Sequence, residues 1–232
     1  MKNKKNFWNK QYKKPTHLAL SNDPSEDLVK FSRWLMREHG KKFLNVTTLT
    51  ADLGCGNGRN IIYLSQEFGV HGVGYDTSRE ALMQARARTA AEELPLVFEE
   101  RSIAKPIPLG DATATLVLDM MSSHVLLSAE REALRSEILR ILKPGGWLFF
   151  KSFLLEEDQN AERMLREFPG PEEGMYLHPQ IKVAEYVWSE MKVREFFEPY
   201  FIIHKLDRSH KHEHADGSAW KRRTVCAYLE KI

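Results

Sequence analysis

Cysteine is scarce in this chain. Only Cys55 and Cys226 occur, which excludes a disulfide framework and a paired-cysteine zinc site. No apolar run approaches the ~20 residues that a membrane span requires. The basic stretch MKNKKNFWNKQYKK at the amino terminus lacks the apolar core of a signal peptide. Neither sign of charge dominates: 34 Lys and Arg face 32 Asp and Glu, for a formal net charge of +2. That balance does not force a nucleic-acid or membrane partner. There is no internal repeat and no low-complexity tract. Together these absences favour a reducing, cytoplasmic setting and no membrane partner. They leave the oligomeric state open.

What is present is ordinary soluble-protein material: 42% hydrophobic and 28% charged residues in 232, enough for one large α/β domain with small additions. Residues 1–40 read as a tail and helical cap. Asp23-Pro24-Ser25-Glu26 marks a helix start, with Asp23 as cap, and an apolar face through Leu28, Phe31 and Leu35 runs to Gly40. Residues 41–232 read as the main domain, in which strands and helices alternate. Strands are expected at Val46–Leu53, Val70–Asp76, Leu96–Arg101, Ala114–Asp119 and Trp147–Phe153. Helices are expected at Asn60–Phe68, Thr77–Glu93 (Thr77 and Glu80 forming a capping box) and Ala129–Leu142. Such alternation predicts a Rossmann-like, doubly wound α/β fold with a mostly parallel sheet covered on both faces. An insertion over about 154–195, with helices near Glu156–Phe168 and Ala184–Met191, precedes two late strands near Tyr200–Leu206 and Arg223–Leu229.

The sharpest local signal is Ala51-Asp52-Leu53-Gly54-Cys55-Gly56-Asn57-Gly58. It lies between a strand and a helix, where open α/β sheets bind ligands at the carboxyl ends of their strands. Glycine lets the backbone turn tightly and approach a ligand, and the next helix presents free N–H groups to it. One strand later comes Asp76, whose carboxylate can accept hydrogen bonds from both hydroxyls of a ribose. The spacing is G-x-G-x-G rather than the G-x-G-x-x-G of nicotinamide and flavin sites, and no G-x-x-x-x-G-K-[ST] loop exists. The negative Asp52 beside the turn is awkward for a pyrophosphate. It suits a ligand that carries an ammonium and a sulfonium.

On these residues the sequence resembles the class I S-adenosylmethionine-dependent methyltransferases, from about Thr48 to Phe153. The motifs are Asp52-Leu53-Gly54-Cys55-Gly56-Asn57-Gly58, Asp76, the strand ending Leu118-Asp119-Met120, and Leu142-Lys143-Pro144-Gly145-Gly146-Trp147. The resemblance implies a seven-stranded sheet with the last strand antiparallel, and S-adenosyl-L-methionine as cofactor. It places Asp52, Gly54, Cys55, Gly56, Asn57, Gly58, Arg59 and Asn60 around the glycine turn and Asp76 and Thr77 at the ribose. It also places Ser102 and Ile103 at the adenine, where the family commonly has an aspartate, and Asp119 and Met120 beneath the cofactor. Segments before the first strand form a lid in many relatives, which gives Phe7, Trp8 and Tyr12 a role in excluding water, with Tyr12 at the cofactor. Lysines interleaved with aromatics also suit single-stranded nucleic acid, and the lid is the preferred reading.

Methyl transfer from a sulfonium releases a neutral thioether, so alignment supplies most of the catalysis and a base is needed only for a protonated acceptor. The candidate base is His124, in Asp119-Met120-Met121-Ser122-Ser123-His124; its alternative role is a cap for the following helix. Met120 and Met121 read as packing residues or adenine contacts. His204, His210, His212 and His214 read as a solvated hairpin rather than a metal site, so no metal is expected. The leading expectation is a small-molecule acceptor, ahead of RNA or protein, with a non-catalytic cofactor-binding module as the remaining alternative.

Overall fold

Near-continuous burial along the central strands sets the architecture, because each of them is covered on both faces. The computed structural model describes residues 2–16, 20–209 and 222–232. The main sheet has the order β3-β2-β1-β4-β5-β9-β8. Its strands are β1 (Leu49–Leu53), β2 (His71–Asp76), β3 (Leu96–Glu100), β4 (Ala114–Met120), β5 (Leu142–Phe153), β8 (Phe201–Arg208) and β9 (Thr224–Lys231). β1 to β5 pair in parallel, and β9 runs antiparallel to both β5 and β8. The seven-stranded sheet and its antiparallel last strand are those anticipated. Strand order reverses between β1 and β4, and this switch opens a crevice at the carboxyl ends of the strands.

β5 shows how the sheet is covered. Trp147 and Phe149 point toward α2 (Glu26–His39), while Leu148 and Phe150 point toward α5 (Ser128–Ile141) and α7 (Glu190–Phe197). Phe31 of α2 sits with its ring centroid 4.8 Å from Phe149 and 4.8 Å from Tyr228. Burying an aromatic of this size contributes roughly 1.5–3 kcal/mol. That anchors the amino-terminal cap to the sheet.

Several boundaries differ from the sequence expectation for local reasons. α2 is capped at Ser25 rather than Asp23, and the Ser25 N–H donates instead to Asn60 Oδ1 at 3.0 Å. α4 (Arg79–Ala91) is capped by Ser78, whose hydroxyl accepts the Ala81 N–H, so Thr77 and Glu80 form no capping box. The Ala184–Met191 helix is not formed. Residues Ala184–Tyr186 are strand β7, paired antiparallel with β6 (Met175–Leu177) in a small second sheet. There Glu185 is drawn inside by the Tyr176 hydroxyl, and α7 starts only where Ser189 caps it. The insertion also carries α6 (Gln159–Glu167). The lysine-rich start is helix α1 (Lys2–Lys13), packed on α4. Cys55 and Cys226 are both free and buried. Among the described residues no helix is long and apolar enough to cross a membrane.

Candidate cofactor-binding site

The β1 strand ends at Leu53, and the chain turns at once. The Gly54 and Cys55 N–H groups both donate to the Tyr75 carbonyl of β2, at 2.7 and 3.0 Å. Gly54 and Gly56 take φ values of +76° and +55°, a region that favours glycine. α3 (Arg59–Phe68) follows directly. The turn is braced by Asp76 at the end of β2, which accepts the Gly56 N–H on Oδ2 and the Ser78 N–H on Oδ1, each at 2.8 Å. Asp119, at the end of β4, accepts the Ser122 hydroxyl at 2.7 Å and the Ser123 N–H at 3.1 Å.

Above this turn lies a cavity of about 420 Å³, which suits a nucleoside-sized ligand. Tyr12, Gly54, Asp76, Thr77, Ser102 and Ile103 all line it, so the sequence reading of these six gathers at one place. Trp8 lines it too, on the same face of α1 as Tyr12, and the Gln84 side-chain amide donates to the Tyr12 carbonyl at 2.8 Å to dock that helix. Ser78 Oγ donates to Asn9 Oδ1 at 3.0 Å in the same contact.

Other expected residues stand behind the turn. Asn57 donates from Nδ2 to the Ser21 carbonyl and to Asn22 Oδ1, and with Asn60 it ties the 21–25 segment to the turn. Arg59 donates to the Asp23 carbonyl. Cys55 packs with Ile61, Leu82 and Phe98, and Gly58 precedes α3 as its cap. Met120 points into the core beside Phe31 and Tyr228, while its neighbour Met121, at φ +57°, lines the cavity.

His124 does not line the cavity. It is 4% exposed, with Nε2 3.9 Å from Glu185 Oε1 and its ring set edge-on to Phe153. Glu185 belongs to a buried cluster in which Arg222 donates to the Tyr176 hydroxyl and, at 3.0 Å, to Asp158. His204 pairs with Glu230 at 2.7 Å. His210, His212 and His214, with Lys211 and Lys221, lie outside the described residues.

Sequence reasoning missed Glu100, Arg101, Lys105, Val125, Leu126 and Glu130 as cavity residues. Glu100 carried a usable signal, since it ends β3 as Asp76 ends β2. Leu126 and Glu130 arrive from the start of α5 and carry no local mark.

The electrostatics are set by three buried carboxylates. Burial pushes the Asp76 and Asp119 carboxyls up. Asp52 rises to about 7, first through burial and then through the negative charge of Asp76. Its Oδ2 is buried and has no hydrogen-bond partner. The raised carboxyl holds an extra proton in the folded state. This contribution to the stability of the ligand-free protein is therefore full at about pH 4 and lost as pH rises through about 7. A cation at the site needs the ionised form, so its affinity should fall as pH drops below about 7. Between pH 8 and pH 6 the loss should be about tenfold for S-adenosylmethionine relative to Asp52→Asn, which has no proton to release. Parallel titrations of the two proteins check this, and identical pH profiles would remove Asp52 from the cationic end of the site.

A family model described as a methyltransferase domain matches residues 50–146, the span from β1 through the β5 turn. Over residues 50–146 the chain is similar to methyltransferase domains. An uncharacterized methyltransferase of Synechocystis sp. is 33% identical over 95 residues, 41% of this chain and 42% of that protein. The glycine/sarcosine/dimethylglycine N-methyltransferase of Actinopolyspora halophila is 30% identical over 136 residues, 58% of this chain and 24% of that one. The chain thus spans less than half the length of these curated relatives. Among solved structures, the Burkholderia thailandensis 1,6-didemethyltoxoflavin-N1-methyltransferase, with its substrate and S-adenosylhomocysteine bound, superposes with a TM-score of 0.72. It is 13% identical and covers all of this chain and 88% of that one.

Proposed function

We propose that the protein binds S-adenosylmethionine in the cavity at the β1–α3 turn and transfers its methyl group to a small-molecule acceptor. The observation that carries this reading is the convergence of Asp52, Asp76 and Asp119 on one glycine turn. All three carboxyls are pushed up by burial. Among the described residues no lysine or arginine lies in ion-pair contact with any of them. A ligand with its own positive charges is what such a site lacks. S-adenosylmethionine supplies two, an ammonium and a sulfonium, and the sulfonium makes its methyl group transferable.

The residues then divide the work. Asp76 accepts from the ribose hydroxyls, and Asp52 offsets the cationic end. Ser102, Ile103 and Met121 hold the adenine, and Trp8 and Tyr12 of α1 close the cavity against water. In-line displacement requires alignment and no general acid. The His124 side chain faces Glu185 and Phe153 rather than the cavity, so no base role is assigned to it. The enclosing helix α1 supports a metabolite-sized acceptor, as do the acceptors named for the Actinopolyspora and Burkholderia relatives.

Calorimetry tests the cofactor assignment directly. S-adenosylmethionine or S-adenosylhomocysteine should bind with a micromolar Kd, and NAD at least a hundredfold more weakly. Equal or tighter NAD binding would overturn the reading.

A further inference from the structure

Helix α1 separates two concavities. Trp8 and Tyr12 face the cofactor cavity, while Phe7, Lys10 and Lys13 face a second cleft of about 400 Å³. The far wall of this cleft is the turn after β6, where Gln180 and Ile181 lie. That turn is shaped by the His178 ring, whose Nδ1 accepts the Gln180 and Ile181 N–H groups at 3.3 and 3.4 Å. The near wall ends in a second ordered turn, in which Gln11 and Thr16 exchange hydrogen bonds at 2.9 and 3.1 Å. Both walls are therefore built, and neither depends on the lysines for its shape.

Lys10, Lys13 and Lys14 line the cleft and no acidic residue does. Among the described residues none of the three lysines has a carboxylate partner. Their spacing is costly on a helix. Lys10 and Lys13 stand at i,i+3, Lys10 and Lys14 at i,i+4, and like charges at those spacings repel. Two cations in the last turn would satisfy the helix dipole, but that accounts neither for the third lysine nor for the concavity. The charge is also segregated along the chain. Six of the 34 basic residues and none of the 32 acidic ones fall in residues 1–22. The remaining 28 basic and 32 acidic residues leave the rest of the chain at −4.

We propose that this cleft is a binding site for a small anion: a carboxylate or phosphate sits among Lys10, Lys13 and Lys14, with an apolar part against Phe7 and Ile181. The site lies across α1 from the cofactor cavity and shares no lining residue with it, so it stands independently of what that cavity holds. An anion between the lysines relieves their mutual repulsion, and the ordered turns on both sides hold the cleft open in advance of binding.

The test uses the full chain at low salt. Inorganic phosphate and propionate serve as probes, followed by amide shifts in two-dimensional NMR, with S-adenosylhomocysteine binding measured in parallel. At least one probe should shift Lys13–Thr16 and Gln180–Ile181 saturably, with a millimolar Kd. Saturation by phosphate alone or by propionate alone identifies the anionic group. The triple variant K10Q/K13Q/K14Q should bind at least tenfold more weakly, with an unchanged Tm and S-adenosylhomocysteine affinity within threefold of wild type. Shifts that never saturate, or that saturate equally in the triple variant, overturn the proposal and leave the cofactor reading intact. Saturable, lysine-dependent anion binding with no S-adenosylhomocysteine binding supports the proposal and overturns the cofactor reading. Lysine-dependent RNA binding with no saturable small anion assigns the lysines to nucleic acid and overturns it.

Discussion

Gly56→Val should weaken S-adenosylmethionine binding by at least a hundredfold, a loss of about 2.7 kcal/mol or more. Three features of the position add. Its φ of +55° is one that a β-branched residue adopts only under strain, at a cost of about 1–3 kcal/mol. A Cβ built there would lie 2.1 Å from the Tyr12 hydroxyl oxygen, so either α1 or the turn must move. The Gly56 N–H also donates to Asp76 Oδ2 at 2.8 Å, and displacement of the turn breaks that brace. The variant should remain folded, because the turn lies at the rim of the cavity and the main cores lie on the two sheet faces. Calorimetry with S-adenosylhomocysteine, and circular dichroism for the fold, check the two halves. A folded Gly56→Val protein that binds within threefold of wild type would show that the turn only connects β1 to α3.

Asp76→Ala should weaken cofactor binding by about 2–4 kcal/mol, roughly thirty- to thousandfold, if its carboxylate accepts from both ribose hydroxyls. The contributions of the two bonds share one desolvation penalty and do not simply add. The hydrogen bonds of the ligand-free site add a second expectation. Asp76 already accepts from Gly56 and Ser78, so the alanine variant also leaves two N–H donors without their partner. Stability should then fall by about 1–3 kcal/mol. Asp76→Asn keeps one acceptor oxygen and loses the charge, and it should fall between wild type and alanine in both measurements. Denaturant unfolding and calorimetry on the two variants separate the roles. A stability loss with unchanged affinity would make Asp76 a brace for the turn and nothing more.

The parallel sheet and the place of the glycine turn were legible from local pattern. Buried strands, helix periodicity and a G-x-G-x-G turn followed one strand later by an acid are all short-range features. Tyr12, Ser102 and Ile103 came instead from the family resemblance, and the fold brings them with Asp76 and Thr77 to a single cavity. Legibility ended where a partner distant in sequence decides the outcome. Ala184–Tyr186 reads as helical by composition, yet it pairs with β6 because Tyr176 draws Glu185 inward. Asp23 reads as a cap, yet Ser25 takes that place because Asn60 holds its N–H.

His124 and the amino-terminal lysines show the same division at the level of function. Nothing local turns the His124 ring toward Glu185 and Phe153 rather than toward the cavity; that direction follows from how the insertion folds over β5. Nor does the spacing of Lys10, Lys13 and Lys14 reveal that a turn 160 or more residues later closes the other side of a cleft. The sequence by itself determined the sheet, the glycine turn and the acid beside it, because hydrophobic period and backbone freedom act between near neighbours. Only the tertiary structure decided which side chains share a cavity and which turn away from it. Those outcomes depend on packing between elements that the sequence keeps far apart.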